Sequence, residues 1–513
     1  MELFNSLLSW VIKKRIHQIE LFQKYPHDVQ NEWFRKLVHT AKDTEWGKRY
    51  DYKSIKTPAD YQERVPINDY EGFKATIMRL KQGEQNLLWP TEINWFAKSS
   101  GTTSEKSKFL PVSKESLEDC HYNGGKDLLC LHYHNVPDSI ALSGRGLSMG
   151  GSSSTNPFRN DSYTGDLSAI IIKNLPLWAE LIRTPNMSVA LMPEWEEKIE
   201  KMARITMKQN ITNLSGVPSW NLVLIKRVLE LTGKRNLCEV WPNLSLFAHG
   251  GVSFRPYREQ FKQLVPSDKM HYVESYNASE GYIGIQDTDD PELLLMLDYG
   301  IYYEFMPMEE FGKDHPKTLT LDQVELNQNY ALVISTNAGL WRYLIGDTVK
   351  FTSLDPYRIV VTGRTKHYIN AFGEELIIEN AEQALEVACS KTGAVVKEYT
   401  ACPVYMDGTS KGGHEWLIEF AEAPTSLDYF GEVLDNALKS LNSDYEAKRY
   451  KSLALEAPRL RVLPEGAFFR WMKQRGKLGG QNKVPRLANN RDYVDSILQL
   501  LDREQPKKSI EAS

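Results

Sequence analysis

A short apolar run, Ile93-Asn94-Trp95-Phe96-Ala97, leads into Ser99-Ser100-Gly101-Thr102-Thr103-Ser104-Glu105-Lys106-Ser107-Lys108-Phe109-Leu110-Pro111. The run reads as a strand, and Val112-Ser113-Lys114-Glu115-Ser116-Leu117 beyond it as the start of a helix. Gly101 lets the backbone turn sharply and approach a ligand closely. The hydroxyls and N–H groups can donate to phosphate oxygens, and Lys106 or Lys108 can add charge. The stretch is not a Walker loop, because G-x-x-x-x-G-K-[ST] is absent. The competing reading is a plain polar surface loop.

With 513 residues, the chain is too long for one ordinary core. Hydrophobic residues make up 41% and charged ones 25%, a globular rather than disordered balance. The net charge of −5 gives no basic footprint for nucleic acid. The five cysteines, at 120, 130, 238, 389 and 402, form no C-x-x-C pair, which argues against zinc ribbons and disulfide frameworks. Such a sparse set suits a reducing cytoplasm. Near the N-terminus Leu3, Leu7, Val11, Ile12, Ile16 and Ile19 recur at helical spacing, and Lys13-Lys14-Arg15 interrupt the run too early for a membrane span. The expectation is a cytoplasmic monomer acting on small molecules, with neither nucleic acid nor membrane as partner.

Residues 1 to about 90 read as helical. Ile140-Ala141-Leu142 reads as a short strand. Gly144 to Asn160, rich in Gly and Ser, reads as a second phosphate cradle or as a loop bordering a pocket. Leu244-Ser245-Leu246-Phe247-Ala248 is a buried strand running into Gly250-Gly251, with His249 read as a histidine satisfied by backbone. Leu293 to Leu297 and Ile301 to Met306 flank Asp298-Tyr299-Gly300 and read as a tight hairpin. Helices mixed with strands early and hairpins later indicate an α/β core with an added antiparallel sheet. From about residue 365 the pattern becomes a separate α+β module.

Three further features can serve the chemistry of the hydroxyl loop. In Tyr276-Asn277-Ala278-Ser279-Glu280 an aromatic ring can stack on a base and a carboxylate can hold a hard cation. In Trp341-Arg342-Tyr343-Leu344-Ile345-Gly346-Asp347 a carboxylate after a Gly can accept from ribose hydroxyls. In Lys477-Leu478-Gly479-Gly480-Gln481-Asn482-Lys483-Val484-Pro485-Arg486 a glycine-flanked lysine can meet an anion. Each alone is equally an ordinary strand end, Gly-Asp turn or solvated basic loop.

In their order and wide spacing these segments resemble the auxin-conjugating acyl acid amido synthetase family, within the adenylate-forming acyl-CoA synthetase and luciferase superfamily. The resemblance spans essentially the whole chain. Gly363-Arg364-Thr365-Lys366 looks like the superfamily hinge, with Lys366 where an acidic residue is common. The resemblance implies an α/β fold with a large adenylation domain, 1–364, binding ATP and an acyl acid. A small mobile α+β lid, 365–513, completes it. It implies adenylation of a carboxylic acid by ATP with Mg²⁺, then attack by an amine, usually of an amino acid. By resemblance, Ser99, Ser100, Gly101, Thr102, Thr103 and Ser104 contact phosphate. Tyr276, Asn277, Ala278 and Ser279 border the nucleotide, Asp347 takes the ribose, and Arg364 the ribose or phosphate. Glu280 takes Mg²⁺, and Lys483 the α-phosphate and carboxylate. Trp178, Val252 and Phe254 are acyl-pocket candidates equally explained as core. Departures from the plant motifs, Asn277-Ala278 before Ser279-Glu280 and Gly363-Arg364 at the hinge, keep plant hormone substrates from being carried over. A ligase with a coenzyme A or carrier-thiol acceptor and a non-catalytic nucleotide-binding scaffold are the alternatives.

Overall fold

The computed structural model describes residues 2–99, 108–151, 153–155, 161–175, 177–192, 194–251, 254, 257–365, 368–369, 376–404, 412–442, 445–446, 449, 455–477, 483–488 and 490–504. The amphipathic opening forms a helix, Glu2–Lys24, and Pro26 begins the next, Pro26–Ala41. Proline fits there because the first-turn N–H has no helical partner anyway. Thr57 and Asp60 form a capping box that starts Pro58–Arg64, and Asp69 caps Tyr70–Lys81. Phe34, Leu37, Tyr61 and Phe73 from these helices join Tyr302, Tyr303 and Trp341 in one core.

The chain divides into two units, Met1–Val361 and Thr362–Ser513. Strands of the first are β1 (Trp95–Ser99), β2 (Lys108–Val112), β3 (Arg145–Ser148), β4 (Ser153–Thr155), β5 (Tyr163–Gly165) and β6 (Arg183–Thr184). They continue as β7 (Ile211–Gly216), β8 (Leu246–Gly250), β9 (His271–Ala278), β10 (Gly281–Ile285), β11 (Leu293–Leu295) and β12 (Ile301–Pro307). The last are β13 (Asn329–Thr336), β14 (Tyr343–Leu354) and β15 (Tyr357–Arg364), which reaches the second unit. A four-stranded sheet has the order β2-β1-β5-β4, and an eleven-stranded one the order β12-β13-β14-β15-β11-β10-β9-β8-β7-β3-β6. Neighbours from β6 to β9 are parallel. The pairs β9-β10, β10-β11, β11-β15, β12-β13 and β13-β14 are antiparallel. Leu147, Leu214 and Phe247 of the parallel part pack with Met202, Ile225 and Val228 of the helices Trp195–Thr206 and Pro218–Thr232. The carboxyl ends of β3, β7, β8 and β9 therefore share one edge, where open α/β sheets bind ligands.

Three sequence expectations are corrected. Lys108 to Val112 is a strand rather than loop, with the helix beginning beyond it at Lys114, because Ser99 pairs with Lys108 and Leu110 and Val112 enter the core. Pro111 is tolerated because β2 is an edge strand. Ile140 to Leu142 is a turn, and the strand follows at β3. Its Ala141 carbonyl accepts from the Thr212 hydroxyl and the Asn213 amide, both at 2.7 Å, leaving nothing for a ladder. Of the Gly- and Ser-rich stretch 144–160, residues 149–151 are a packed connection, while 152 and 156–160 lie outside the described residues. Lys198 donates to the Gly150 carbonyl and, at 3.4 Å, to that of Gly151, whose N–H donates to Ser168 Oγ at 2.9 Å. Finally, β11 and β12 are not a hairpin, for three strands, β13, β14 and β15, lie between them in the sheet. Buried Gln30 splits them: its Nε2 donates to the Leu297 and Ile301 carbonyls at 3.0 Å, and its Oε1 accepts the Tyr303 N–H at 2.9 Å.

In the second unit, β16 (Tyr368–Ile369) and β17 (Leu376–Ile377) pair, and β18 (Val395–Val404), β19 (Gly413–Glu422) and β20 (Arg459–Leu463) form a sheet. Period-two alternation sends Tyr399, Ala401, Trp416 and Ile418 toward the helices Ile378–Thr392 and Leu427–Leu441. Cys402 and Leu417 point instead to Ala467–Gln474 and Asp492–Glu504. Among the described residues no helix is long and apolar enough to cross a membrane.

Candidate nucleotide site

Ala278 pairs with Gly281, so Ser279 and Glu280 form a two-residue turn between β9 and β10. The turn stands at the carboxyl edge of the parallel strands and carries the Glu280 carboxylate at its tip. Tyr276, just before it, donates its hydroxyl hydrogen to Asp347 Oδ2 at 2.5 Å, across 71 residues of sequence. Asp347 is held by an irregularity in β14. Val333 pairs with Leu344 and Ala331 with Thr348, so Ile345, Gly346 and Asp347 stand against one residue of β13. Gly346 has φ +91°, a conformation that lets the strand bulge and re-aim the next side chain.

Arg342, in the same sequence motif, does different work. Its Nε donates to Glu304 at 3.0 Å, Nη1 to the Val65 carbonyl at 2.7 Å and Nη2 to Thr318 Oγ1 at 2.7 Å. Both charged groups are buried, so the guanidinium ties the first helices to the sheet.

A wide helical turn, Ser116–Tyr122, lies against the β9–β10 hairpin. The Tyr282 N–H donates to Cys120 Sγ at 3.1 Å, and His121 Nδ1 lies 3.1 Å from Asn277 Oδ1. Burial pushes the His121 ring down to about 4, opposed by the bond to Asn277, so the imidazole is neutral near pH 7. His121 carries no local signal in the sequence, for its partner Asn277 lies 156 residues away.

His249 is held by stacking rather than by the backbone bond expected of it. Its ring lies 4.1 Å from that of Phe254 at 26°, its Nδ1 lacks a hydrogen-bond partner among the described residues, and burial pushes it down to about 3. Phe254 is 1% exposed within the aromatic core of Phe247, Phe261 and Tyr272. Val252 lies outside the described residues, and Trp178 belongs to the helix Leu177–Ile182.

Of the other expected site residues, Ser99 ends β1, while Ser100, Gly101, Thr102, Thr103 and Ser104 lie outside the described residues, as do Lys106 and Lys366. The structure brings Tyr276, Asn277, Ala278, Ser279, Glu280 and Asp347 onto one part of the first unit. Arg364, at the end of β15, and Lys483 belong to the second. Lys483 precedes a segment laid along β18: Thr400 Oγ1 donates to the Pro485 carbonyl at 2.6 Å and the Ala401 N–H to that of Arg486 at 2.9 Å. Among the described residues no group of three or more His, Cys, Asp or Glu could enclose a metal ion. A carboxylate such as that of Glu280 is the oxygen-donor type that Mg²⁺ takes, commonly one or two of them with phosphates and water completing the shell.

The fold is that of the adenylate-forming ligases. It matches the GH3.15 acyl acid amido synthetase with a TM-score of 0.75 at 15% identity, covering 94% of this chain and 95% of that one. It matches a 2-hydroxyisobutyryl-CoA ligase with a TM-score of 0.60 at 11% identity, covering 92% and 91%. The GH3 family N-terminal domain matches residues 15–270, its central domain 294–364 and its C-terminal domain 379–492. The chain belongs to the GH3 family and is a ligase of the acyl acid amido synthetase class. Among its relatives is the indole-3-acetic acid-amido synthetase GH3.3 of Arabidopsis thaliana, 23% identical over 95% of this chain and 93% of that protein. Another is the jasmonoyl–L-amino acid synthetase JAR4 of Nicotiana attenuata, 22% identical over 95% of each.

Proposed function

We propose that the protein uses ATP to adenylate a small carboxylic acid and passes the acyl group to the amine of an amino acid. The observation that carries this reading is the Tyr276–Asp347 hydrogen bond, which unites two of the motif segments beside the Glu280 turn. A carboxylate oxygen attacks the α-phosphorus, and the bond to the bridging oxygen breaks to release pyrophosphate. The amine nitrogen then attacks the acyl carbon, loses a proton and expels AMP.

The first step joins two anions, so positive charge must meet both in the transition state. Lys483 supplies it at the α-phosphate and the attacking carboxylate. Ser99 and the hydroxyls of Ser100, Thr102, Thr103 and Ser104, with the Gly101 amide, bind phosphate, and Arg364 binds ribose or phosphate. Tyr276, Asn277, Ala278 and Ser279 border the base, while Asp347 accepts from ribose hydroxyls. Glu280 would hold Mg²⁺, which when bound neutralises triphosphate charge. Residues 1–364 bind the nucleotide and acid, and 365–513 act as a lid. All five cysteines are free thiols, which supports a cytoplasmic site of action.

The test is acid-dependent exchange of labelled pyrophosphate into ATP across a panel of carboxylic acids, followed by product analysis with amino acids or coenzyme A. Exchange with at least one acid and an amide product is expected. A thioester product would replace the amine with a thiol, and absence of exchange with ATP bound would favour a scaffold.

A further inference from the structure

The wide turn Ser116–Tyr122 brings two side chains to the hairpin that ends in Glu280, and only one, Cys120, bonds its backbone. The approach is close: a Cβ on Gly124 would fall 2.2 Å from the Tyr282 ring. Wide helical turns recur at functional sites. This one delivers His121, 4% exposed, to the side chain of Asn277 rather than to the hairpin backbone. An amide oxygen only accepts, so His121 must carry its proton on Nδ1 and donate it. That bond decides which end of the Asn277 amide faces inward. The oxygen is turned to His121 and the NH₂ group, a donor only, is turned away.

We propose that His121 is a positioning residue for base recognition, holding the Asn277 amide so that its N–H donates to an acceptor ring nitrogen of adenine. This rests on the reading of the Tyr276–Glu280 segment as the nucleotide border. Without the histidine the amide can rotate and present its oxygen, which repels an acceptor nitrogen and suits the N–H edge of guanine. His121 touches no reacting atom, so its loss acts on nucleotide affinity and selection rather than on the chemical step.

The experiment compares wild type, His121→Phe and His121→Asn in acid-dependent pyrophosphate exchange with ATP and GTP. His121→Phe keeps a ring and removes the donor. His121→Asn places an amide N–H near the position of the imidazole Nδ1. In His121→Phe the KM for ATP should rise about 10-fold with kcat changed less than about twofold, the pattern of lost binding common to ground and transition states. Its preference for ATP over GTP should fall, and His121→Asn should restore most of both. An unchanged KM, a fall in kcat alone, or His121→Asn as impaired as His121→Phe would overturn the assignment. If His121→Phe does not fold, Asn277→Ala must raise the KM for ATP to a similar degree, and an unchanged KM there overturns it too. Wild-type protein that neither binds ATP nor supports exchange removes the functional reading and this proposal together. Wild-type exchange with unaltered variants removes this proposal alone.

Discussion

Tyr276 and Asp347 meet through one charge-assisted hydrogen bond, so Tyr276→Phe isolates its contribution while keeping the ring. Bonds to charged groups contribute about 1.5–3 kcal/mol, so the KM for ATP should rise by about 10-fold or more. Exchange kinetics over an ATP series measure this, and an unchanged KM would place the pair outside the nucleotide contacts. Lys483→Ala should reduce acid-dependent exchange by about 10²-fold or more, as removal of an electrostatic stabiliser commonly does. ATP binding, followed by calorimetry, should change far less. For Glu280→Gln the expected result is a weakened dependence on Mg²⁺ with an intact fold, read from a Mg²⁺ titration of exchange. Tyr276, Asp347, Glu280 and Lys483 are singled out in the sequence because each sits in a run whose neighbours mark it, and the Tyr276–Asp347 bond joins two of those runs. His121 was not, since its partner is supplied by another element.

The bulge in β14 shows what an element does that a residue list cannot. Gly346 has φ +91°, so Gly346→Ala strains the backbone by about 1 kcal/mol or more. The strain falls where Asp347 is aimed, so ATP affinity should fall further than stability. Comparing the urea midpoint with the KM for ATP checks this, and a large midpoint shift with normal KM would make the bulge a folding device only. The expected hairpin at 293–306 failed for an elemental reason as well. Turn residues mark where a chain bends, but Gln30 occupies the Leu297 and Ile301 carbonyls and the two strands pair with other neighbours. At β2, pairing with β1 carries the strand through Val112, and the helix begins two residues later at Lys114.

Across the whole molecule, buried neutral histidines set an acid limit. Burial lowers His121 to about 4 and His249 to about 3, below the unfolded value. Between the two values the unfolded chain binds more protons, so stability is present near pH 7 and is lost as pH falls through about 6.5. From pH 7 to 5.5 each should cost about 1 kcal/mol. Urea unfolding at both pH values measures the loss, and His249→Phe should lessen it. The two units make a second prediction, because adenylation and amine attack need different access to the acyl carbon. If residues beyond 365 pivot near Gly363 between the half-reactions, Gly363→Pro, which fixes φ and removes a donor, should impair one far more than the other. Exchange and amide formation from preformed adenylate, measured separately, decide this. Equal loss with normal folding would indicate local damage.

The order of elements, the change of pattern near residue 365 and the four motif segments follow from local signals: periodicity, turn residues and runs of hydroxyls act within a few positions of the chain. Tertiary structure alone decided that Lys108 to Val112 is an edge strand, that β11 and β12 part company, and that Arg342 is structural while Asp347 meets Tyr276. It alone brought His121 to Asn277. Buried backbone and polar groups must find partners wherever the fold supplies them, and here those partners, Gln30, Glu304, Thr212 and Asn277, lie far away in sequence and leave no mark on the local pattern.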